Sequence, residues 1–338
     1  MRADKLTNGS VNYHTWEENA ERTRAKCARF INAEPEEIAF VMNASQGISF
    51  ALNGIDFQEG ENVIVHREDF PSIYLPWLSL KERGVEIRCV ETDDGRIPYE
   101  NIAKLFDDRT RAVAISSVQF KTGFLCDLES LGNLCRENGA YFIVDAIQSL
   151  GFIKMDVKQY NIDLLSTSCY KWLLSPDGIG FFFCRKEILD EINTSNIGWM
   201  STVDPWSFPT ELELHPSAKK FEAGTLPWPQ IYSFDTILDF IDDVTVDRIK
   251  KHVFGLHDYL IEELKRLGIR IVSSLKKNER SGIIVFDAKD NKRLAEVFQA
   301  NKVRISLRDG IRVAPHIYNN KDDIERLLGI LKSFLKDA

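Results

Sequence analysis

An acid, an amide and an amine stand at or just past the ends of two apolar runs: Asp145 and Gln148 in IVDAIQ (143–148), and Lys171 in IDLLSTSCYKW (162–172). IVDA and IDLLST have the length and composition of buried strands. Ligands of open α/β sheets sit at the carboxyl ends of strands, so acid and lysine fall in one crevice. Tyr170 and Trp172 flank the lysine, and an apolar setting of that kind depresses an amine's pKa and suits imine formation with a carbonyl. A carboxylate, an amide and such an amine are the groups needed to hold pyridoxal phosphate (PLP) and tune its electronics. Taken singly, each has a plainer reading, since an Asp after a strand is usually a turn or cap and a lone Lys a solvated charge.

Two further segments offer binding groups. NASQGISFALNGI (43–55) leaves a strand end and opens a helix at Ser45 or Gln46. Free N–H groups at that start, with the Ser45 hydroxyl, can bind a phosphate; as a bare N-cap, Ser45 only begins the helix. In EDFPSIYLPW (68–77), Phe70 follows a strand and is placed to stack on a pyridine ring, although phenylalanine before proline is more often simple core.

These groups need a scaffold, and the hydrophobic pattern supplies one. Residues 16–32 read as an amphipathic helix and 38–42 as a short strand; strands at 63–66, 85–90 and 112–118 then alternate with helices at 72–83, 99–106 and 128–138 before the run that ends at Asp145. Such alternation predicts an α/β fold with a mostly parallel sheet and helices on both faces. Residues 193–230, rich in Pro, Trp and Ser, predict a long irregular connection. Beyond it come helices at 230–243 and 247–267, strands at 269–273, 282–287, 302–306 and 311–314, and helices at 290–300 and 321–336. They predict a small C-terminal α+β unit and a boundary near residue 240, with a large domain over 1–240 and a small one over 241–338.

At 338 residues, 44% hydrophobic and 28% charged, the chain is an ordinary globular protein with length for about two domains. A net charge of −8 argues against nucleic acid or an anionic membrane as partner. No apolar stretch approaches the roughly 20 residues of a membrane span, and MRADKLTNGS lacks the apolar centre of a signal peptide. A cytoplasmic location is expected. The six cysteines form no C-x-x-C pair, and His252 and His257 fall on different helix faces, so reduced thiols and no metal site are expected.

The stretch S-C-Y-K-W (168–172), together with Asp145 and Gln148, resembles the class V aminotransferase and cysteine desulfurase superfamily of fold-type I PLP-dependent enzymes. The likeness extends over roughly residues 14–336. It implies a fold-type I large domain that binds the cofactor, plus the small C-terminal domain. By the resemblance, Ala44, Ser45, Gln46, Ser168 and Tyr170 hold the phosphate, Asp145 the pyridine nitrogen and Gln148 the phenolic oxygen. Lys171 holds the imine and then acts as acid or base at Cα. The segment at Phe70 is similar to one in kynureninase where an aromatic covers the cofactor, and VQFKTG (118–123) is similar to a stretch on the substrate side, which implies a substrate contact at Gln119. KFEAGT (220–225) resembles a segment whose threonine reaches the partner subunit's phosphate, implying for Thr225 a homodimer with shared active sites. RISLRDGIRVAP (304–315) is similar to the strand whose arginine clamps the substrate carboxylate. Arg312 is the choice there and Arg308 its competitor, because a planar fork suits a carboxylate.

The resemblance implies an enzyme that acts on a small amino acid through an imine with the cofactor, as a transaminase or lyase. A cysteine desulfurase, C–S lyase or epimerase of the same superfamily is the alternative, and a non-catalytic scaffold of the same fold is the alternative of another class. Asp145, Gln148 and Lys171 together disfavour the scaffold, and a nucleotide-binding protein would need glycine-rich motifs that the chain lacks. Desulfurases carry a cysteine ahead of the carboxylate arginine; residues 185–338 contain none, which argues against persulfide chemistry.

Overall fold

The computed structural model describes residues 2–92 and 94–336. Seven short runs make the main sheet: β1 (Ile38–Val41), β2 (Asn62–His66), β3 (Glu86–Val90), β4 (Thr110–Ser116), β5 (Tyr141–Asp145), β6 (Leu164–Ser168) and β7 (Gly180–Cys184), in the order β1-β7-β6-β5-β4-β2-β3. The pairs among β2 to β6 are parallel, whereas β7 runs antiparallel to both its neighbours. A sheet covered on both faces requires runs that are apolar throughout. Successive residues serve two cores: Phe142 and Val144 of β5 belong to one, Tyr141 and Ile143 to the other.

The helices of this body are α1 (Arg2–Asn8), α2 (Tyr13–Phe30), α3 (Ala44–Gly54), α4 (Pro71–Tyr74), α5 (Tyr99–Ala103), α6 (Leu128–Glu137) and α7 (Trp228–Val244). Apolar residues of α2, α5, α6 and α7 close the first core, and α3 with Ile73 and Trp77 closes the second. Between β7 and α7 only single 3-10 turns interrupt the irregular connection.

The small sheet comprises β8 (Arg270–Ile271), β9 (Ile284–Asp287), β10 (Ser306–Leu307) and β11 (Ile311–Val313), ordered β10-β11-β9-β8 and antiparallel throughout. It is covered by α8 (Val246–Arg266), α9 (Asn291–Ala300) and α10 (Lys321–Lys336). Ile249 and Val253 of α8 pack into the large core while Leu256, Leu260 and Leu264 pack on the small sheet, so one helix joins the two bodies. The loop after β4 joins them again: Ser281 Oγ donates to Gly123 O at 2.7 Å and Leu125 N–H to Glu279 O at 2.9 Å. Gly123, at φ +76, is pressed against Ile283, where a Cβ would collide. This docking brings β11 to the cleft edge of the main sheet.

Where the structure departs from the sequence expectation, the causes are local. The helix expected over 72–83 is one turn, α4, followed by a 3-10 stretch over Leu75–Arg83, because Pro76 brings no backbone donor to the second turn. The helix expected to open at Ser45 or Gln46 opens at Ala44, since Asn43 caps it and accepts from Gln46 N–H at 3.0 Å. β7 lies outside the expected alternation: no helix separates it from β6, so it folds back as an antiparallel neighbour. The strand expected at 302–306 shrinks to the two-residue pairing of β10. Among the described residues no helix is long and apolar enough to cross a membrane.

Candidate active site

Asp145 ends β5 and Ser168 ends β6, its neighbour, so the acid and the turn after Ser168 leave the sheet at the same edge. Asp145 is 1% exposed. One of its oxygens accepts from Ile147 N–H at 2.9 Å, and no other hydrogen-bond donor reaches the carboxylate among the described residues. Burial pushes this carboxyl well above the usual carboxylate range; Asp69 adds to the shift, while the Ile147 N–H and Lys171 oppose it. Lys171 is the converse case. Burial lowers its amine below the ordinary lysine range, Asp145 pulls it back up, and Arg312 pushes it down. Its Nζ lies 5.8 Å from the centre of the Phe70 ring and 6.0 Å from that of Tyr170. A largely desolvated amine with an appreciable neutral fraction is a nucleophile for a carbonyl.

Phe70 is held by an acid that sequence reasoning missed. Asp69, 6% exposed, accepts from Ser116 N–H at 2.8 Å, Ser116 Oγ at 2.7 Å and Phe70 N–H at 2.7 Å, which locks the aromatic's backbone to the end of β4. The available signal was an acid directly before Phe-Pro.

The start of α3 offers fewer free donors than the sequence suggests. Ala44 N–H donates to Ser168 Oγ at 2.8 Å and Gln46 N–H to Asn43. Gln46 Oε1 accepts from Met42 N–H at 2.7 Å, and Ser45 Oγ donates to Ser72 Oγ at 2.8 Å. Ser45 itself is exposed, and its N–H has no partner among the described residues. A phosphate at this helix start therefore meets the Ser45 N–H first, with the Ser45, Ser72 and Ser168 hydroxyls around it.

Phe70, Gln148, Tyr170, Lys171, Arg308 and Arg312 line one cleft of about 450 Å³. Trp172, His316 and Tyr318 line it too. Their rings form a column that begins in the core: Phe152 stacks on Trp172 at 4.6 Å, Trp172 on His316 at 4.6 Å and His316 on Tyr318 at 4.9 Å. The column fixes the backbone beside Lys171. Burial lowers the imidazole of His316 to about 4, so it is neutral there.

Of the residues expected at the site, Ala44, Ser45, Gln46, Asp145, Ser168, Gln119 and Thr225 do not line this cleft. Gln119 is wholly buried: its Nε2 donates to Glu68 O at 3.0 Å, and its Oε1 accepts from Lys121 N–H at 2.6 Å and Thr122 N–H at 2.8 Å. In place of a substrate contact it staples the loop that carries Phe120, which does line the cleft and meets Phe70 edge-on at 5.3 Å. Thr225 is exposed and lines no part of the cleft. No cysteine lines it either. Cys27, Cys126, Cys135, Cys169 and Cys184 are buried, and burial pushes each thiol up, away from thiolate chemistry.

A model of the family Aminotransferase class-V matches residues 7–327. The chain belongs to that family. It is 33% identical over 233 residues to a probable cysteine desulfurase of Methanothermobacter thermautotrophicus, a match that covers 69% of this chain and 58% of that one. It is 28% identical to an uncharacterized aminotransferase of Schizosaccharomyces pombe, covering 94% and 82%. Among solved structures, the apo cysteine desulfurase of Thermococcus onnurineus matches with a TM-score of 0.90 at 24% identity, over 96% of this chain and 86% of that one. A cystine C–S lyase in complex with cysteine persulfide matches with 0.90 at 21%, over 98% and 91%. At these identities the solved structures show the fold, which is fold type I.

A class-V aminotransferase is a PLP-dependent enzyme, and the residues present fit that cofactor. A buried acid without a side-chain donor, a largely desolvated lysine without an ion pair, a ring 5.8 Å from that lysine and a helix start with an unpartnered N–H are the complements of a pyridine nitrogen, an aldehyde, an aromatic face and a phosphate.

Proposed function

We propose that the protein is a PLP-dependent transaminase or lyase of a small amino acid, with Arg312 as ligand of the substrate's α-carboxylate and Lys171 as the group that moves the proton at Cα. Arg312 carries this reading. Its Nε is buried without a hydrogen-bond partner, and burial, with Arg308 nearby, lowers the guanidinium to about 10. It lines the same cleft as Lys171. A buried fork of donors without a counter-ion is costly, and a bidentate carboxylate offsets that cost.

When bound, PLP supplies a conjugated system that stabilises negative charge at the substrate's α-carbon. The chain's own residues do the rest. Asp145, whose charge is unfavourable in its buried site, gains a partner in the protonated ring nitrogen. Gln148 would donate to the phenolic oxygen; the Ser45 N–H, with the Ser45 and Ser168 hydroxyls and Tyr170, would form the phosphate end, where Ala44 and Gln46 shape the helix start with their own N–H groups already engaged. Phe70 covers the ring face and, with Phe120, keeps water from the reacting carbon. Lys171 accepts and returns the proton because burial keeps part of its amine neutral. With no thiol lining the cleft, sulfur leaving a substrate departs by direct elimination rather than through a cysteine of this chain. Six cysteines free of disulfides suit a reducing, cytoplasmic setting.

An absorbance scan during addition of candidate amino acids tests cofactor and substrate class together; a protein that takes up no PLP refutes the reading. Arg312→Ala is expected to cost about 2–4 kcal/mol in kcat/KM with cofactor content unchanged. Near-normal kinetics would remove Arg312 from the role.

The site is completed by a second copy. Thr225 is exposed outside the cleft, and the same connection exposes Trp199, Val203, Trp206, Phe208 and Leu212, an apolar surface suited to a partner. Sedimentation at assay concentration is expected to show a dimer, and Thr225→Ala to weaken PLP retention with secondary structure intact. An active monomer refutes the shared site.

A further inference from the structure

Two guanidiniums line the cleft, where an α-carboxylate needs one. Arg308 and Arg312 lie on the β10–β11 hairpin: Ser306 pairs with Arg312, Leu307 with Ile311, and Arg308 N–H donates to Gly310 O at 3.0 Å. Arg308 is thus the diagonal neighbour of Arg312 on one face, a relation that spans about 7–8 Å. Neither arginine pairs with a carboxylate among the described residues; the acid between them in the hairpin, Asp309, lies 3.9 Å from Lys121 instead. None of the residues lining the cleft is acidic, although the whole chain carries a net charge of −8. Arg308 is exposed at the cleft mouth, its guanidinium 5.8 Å from the centre of the Phe120 ring. The groups suited to the cofactor's phosphate belong to another element, the start of α3, so the phosphate does not account for the pair.

We propose that the substrate is a dicarboxylic amino acid, its α-carboxylate on Arg312 and its second carboxylate on Arg308. The proposal rests on the amino-acid reading above and adds the substrate's charge. The side-chain carboxylate replaces the missing counter-ion of an exposed cation, so the contact discriminates among substrates more than it strengthens every one of them.

The test titrates the PLP-loaded protein with aspartate, glutamate and the longer cystine, and with asparagine, glutamine and alanine, following the cofactor's absorbance. At least one dicarboxylic acid is expected to bind about tenfold or more tightly than the neutral amino acids, a single charge-assisted contact. In Arg308→Gln that ratio collapses toward unity. A readout without cofactor accompanies it: glutarate should raise the melting temperature of the apoprotein more than butyrate does, and Arg308→Gln should erase the difference. Equal affinities for both classes, or a preference that survives Arg308→Gln, overturns the dicarboxylate assignment while leaving the amino-acid reading in place. Failure of every amino acid to perturb the cofactor, with wild-type kinetics in Arg312→Ala, refutes the underlying reading and this inference with it.

Discussion

Lys171→Ala is expected to lower kcat/KM by about a thousandfold or more, within or beyond the range that a general acid–base group contributes. The reason is double duty: the amine both tethers the cofactor and carries the proton at Cα. Borohydride reduction followed by peptide mapping should find pyridoxyl on the 171 peptide of the wild type and on no peptide of the variant. The variant should not be less stable. The Lys171 amine has no ion pair or hydrogen bond among the described residues and is largely desolvated, so its removal takes away an unfavourable charge rather than a contact. A pH series gives an independent check. The neutral amine is the nucleophile, and its fraction rises as pH rises through the amine's pKa; because burial lowers that pKa, covalent capture of PLP by the apoprotein should reach its plateau below the pH at which an ordinary lysine would. Activity within tenfold of wild type in Lys171→Ala, or capture that keeps accelerating through the ordinary lysine range, would contradict the role.

The parts of this site legible in the sequence are those fixed by a strand ending. Asp145 and Lys171 follow short apolar runs, and a run that ends in a polar residue reports both a strand and the edge where its last side chain emerges. Residues whose roles depend on segments far apart in sequence were not legible. Asp69 matters because Ser116, 47 residues later, donates to it. His316 matters because Trp172, from the other body, stacks on it. The helix starts at Ala44, one or two residues before the expected position, because Asn43 caps it and Ser168, 124 residues away, takes the Ala44 N–H, a partner that the local sequence does not reveal. Gln119 shows a related ambiguity: an amide can hold a loop as well as a ligand, and here its side chain makes four hydrogen bonds, to Glu68, Lys121 and Thr122.

Lys220, Phe221 and Glu222 are buried where the chain approaches Thr225. Thr225 itself is exposed, whereas these three side chains are held in the core. Lys220 donates to Ile192 O at 2.7 Å, Phe221 stacks on Phe50 at 5.3 Å, and Glu222 takes both ends of the Arg24 guanidinium, at 2.7 and 3.1 Å, plus the Phe40 N–H at 2.6 Å. Arg24 and Glu222 side chains are each 1% exposed, so neither has water to fall back on. Glu222→Ala should therefore destabilise the protein by about 3 kcal/mol, the lower end of the cost of breaking a buried pair, because Arg24 keeps the half-exposed Glu21 carboxylate at 3.2 Å. Arg24→Ala should cost a similar amount, and the double replacement less than the sum of the two, because the second change removes the charge that the first left stranded. Urea unfolding of the four proteins measures this, and a loss below about 1 kcal/mol for Glu222→Ala, the value of an exposed pair, would refute it. The same variant should retain PLP less well even though Glu222 lines no part of the cleft. Its carboxylate ties β1 and α2 to the turn that leads to Thr225, so untying it frees the residue expected to reach across the dimer.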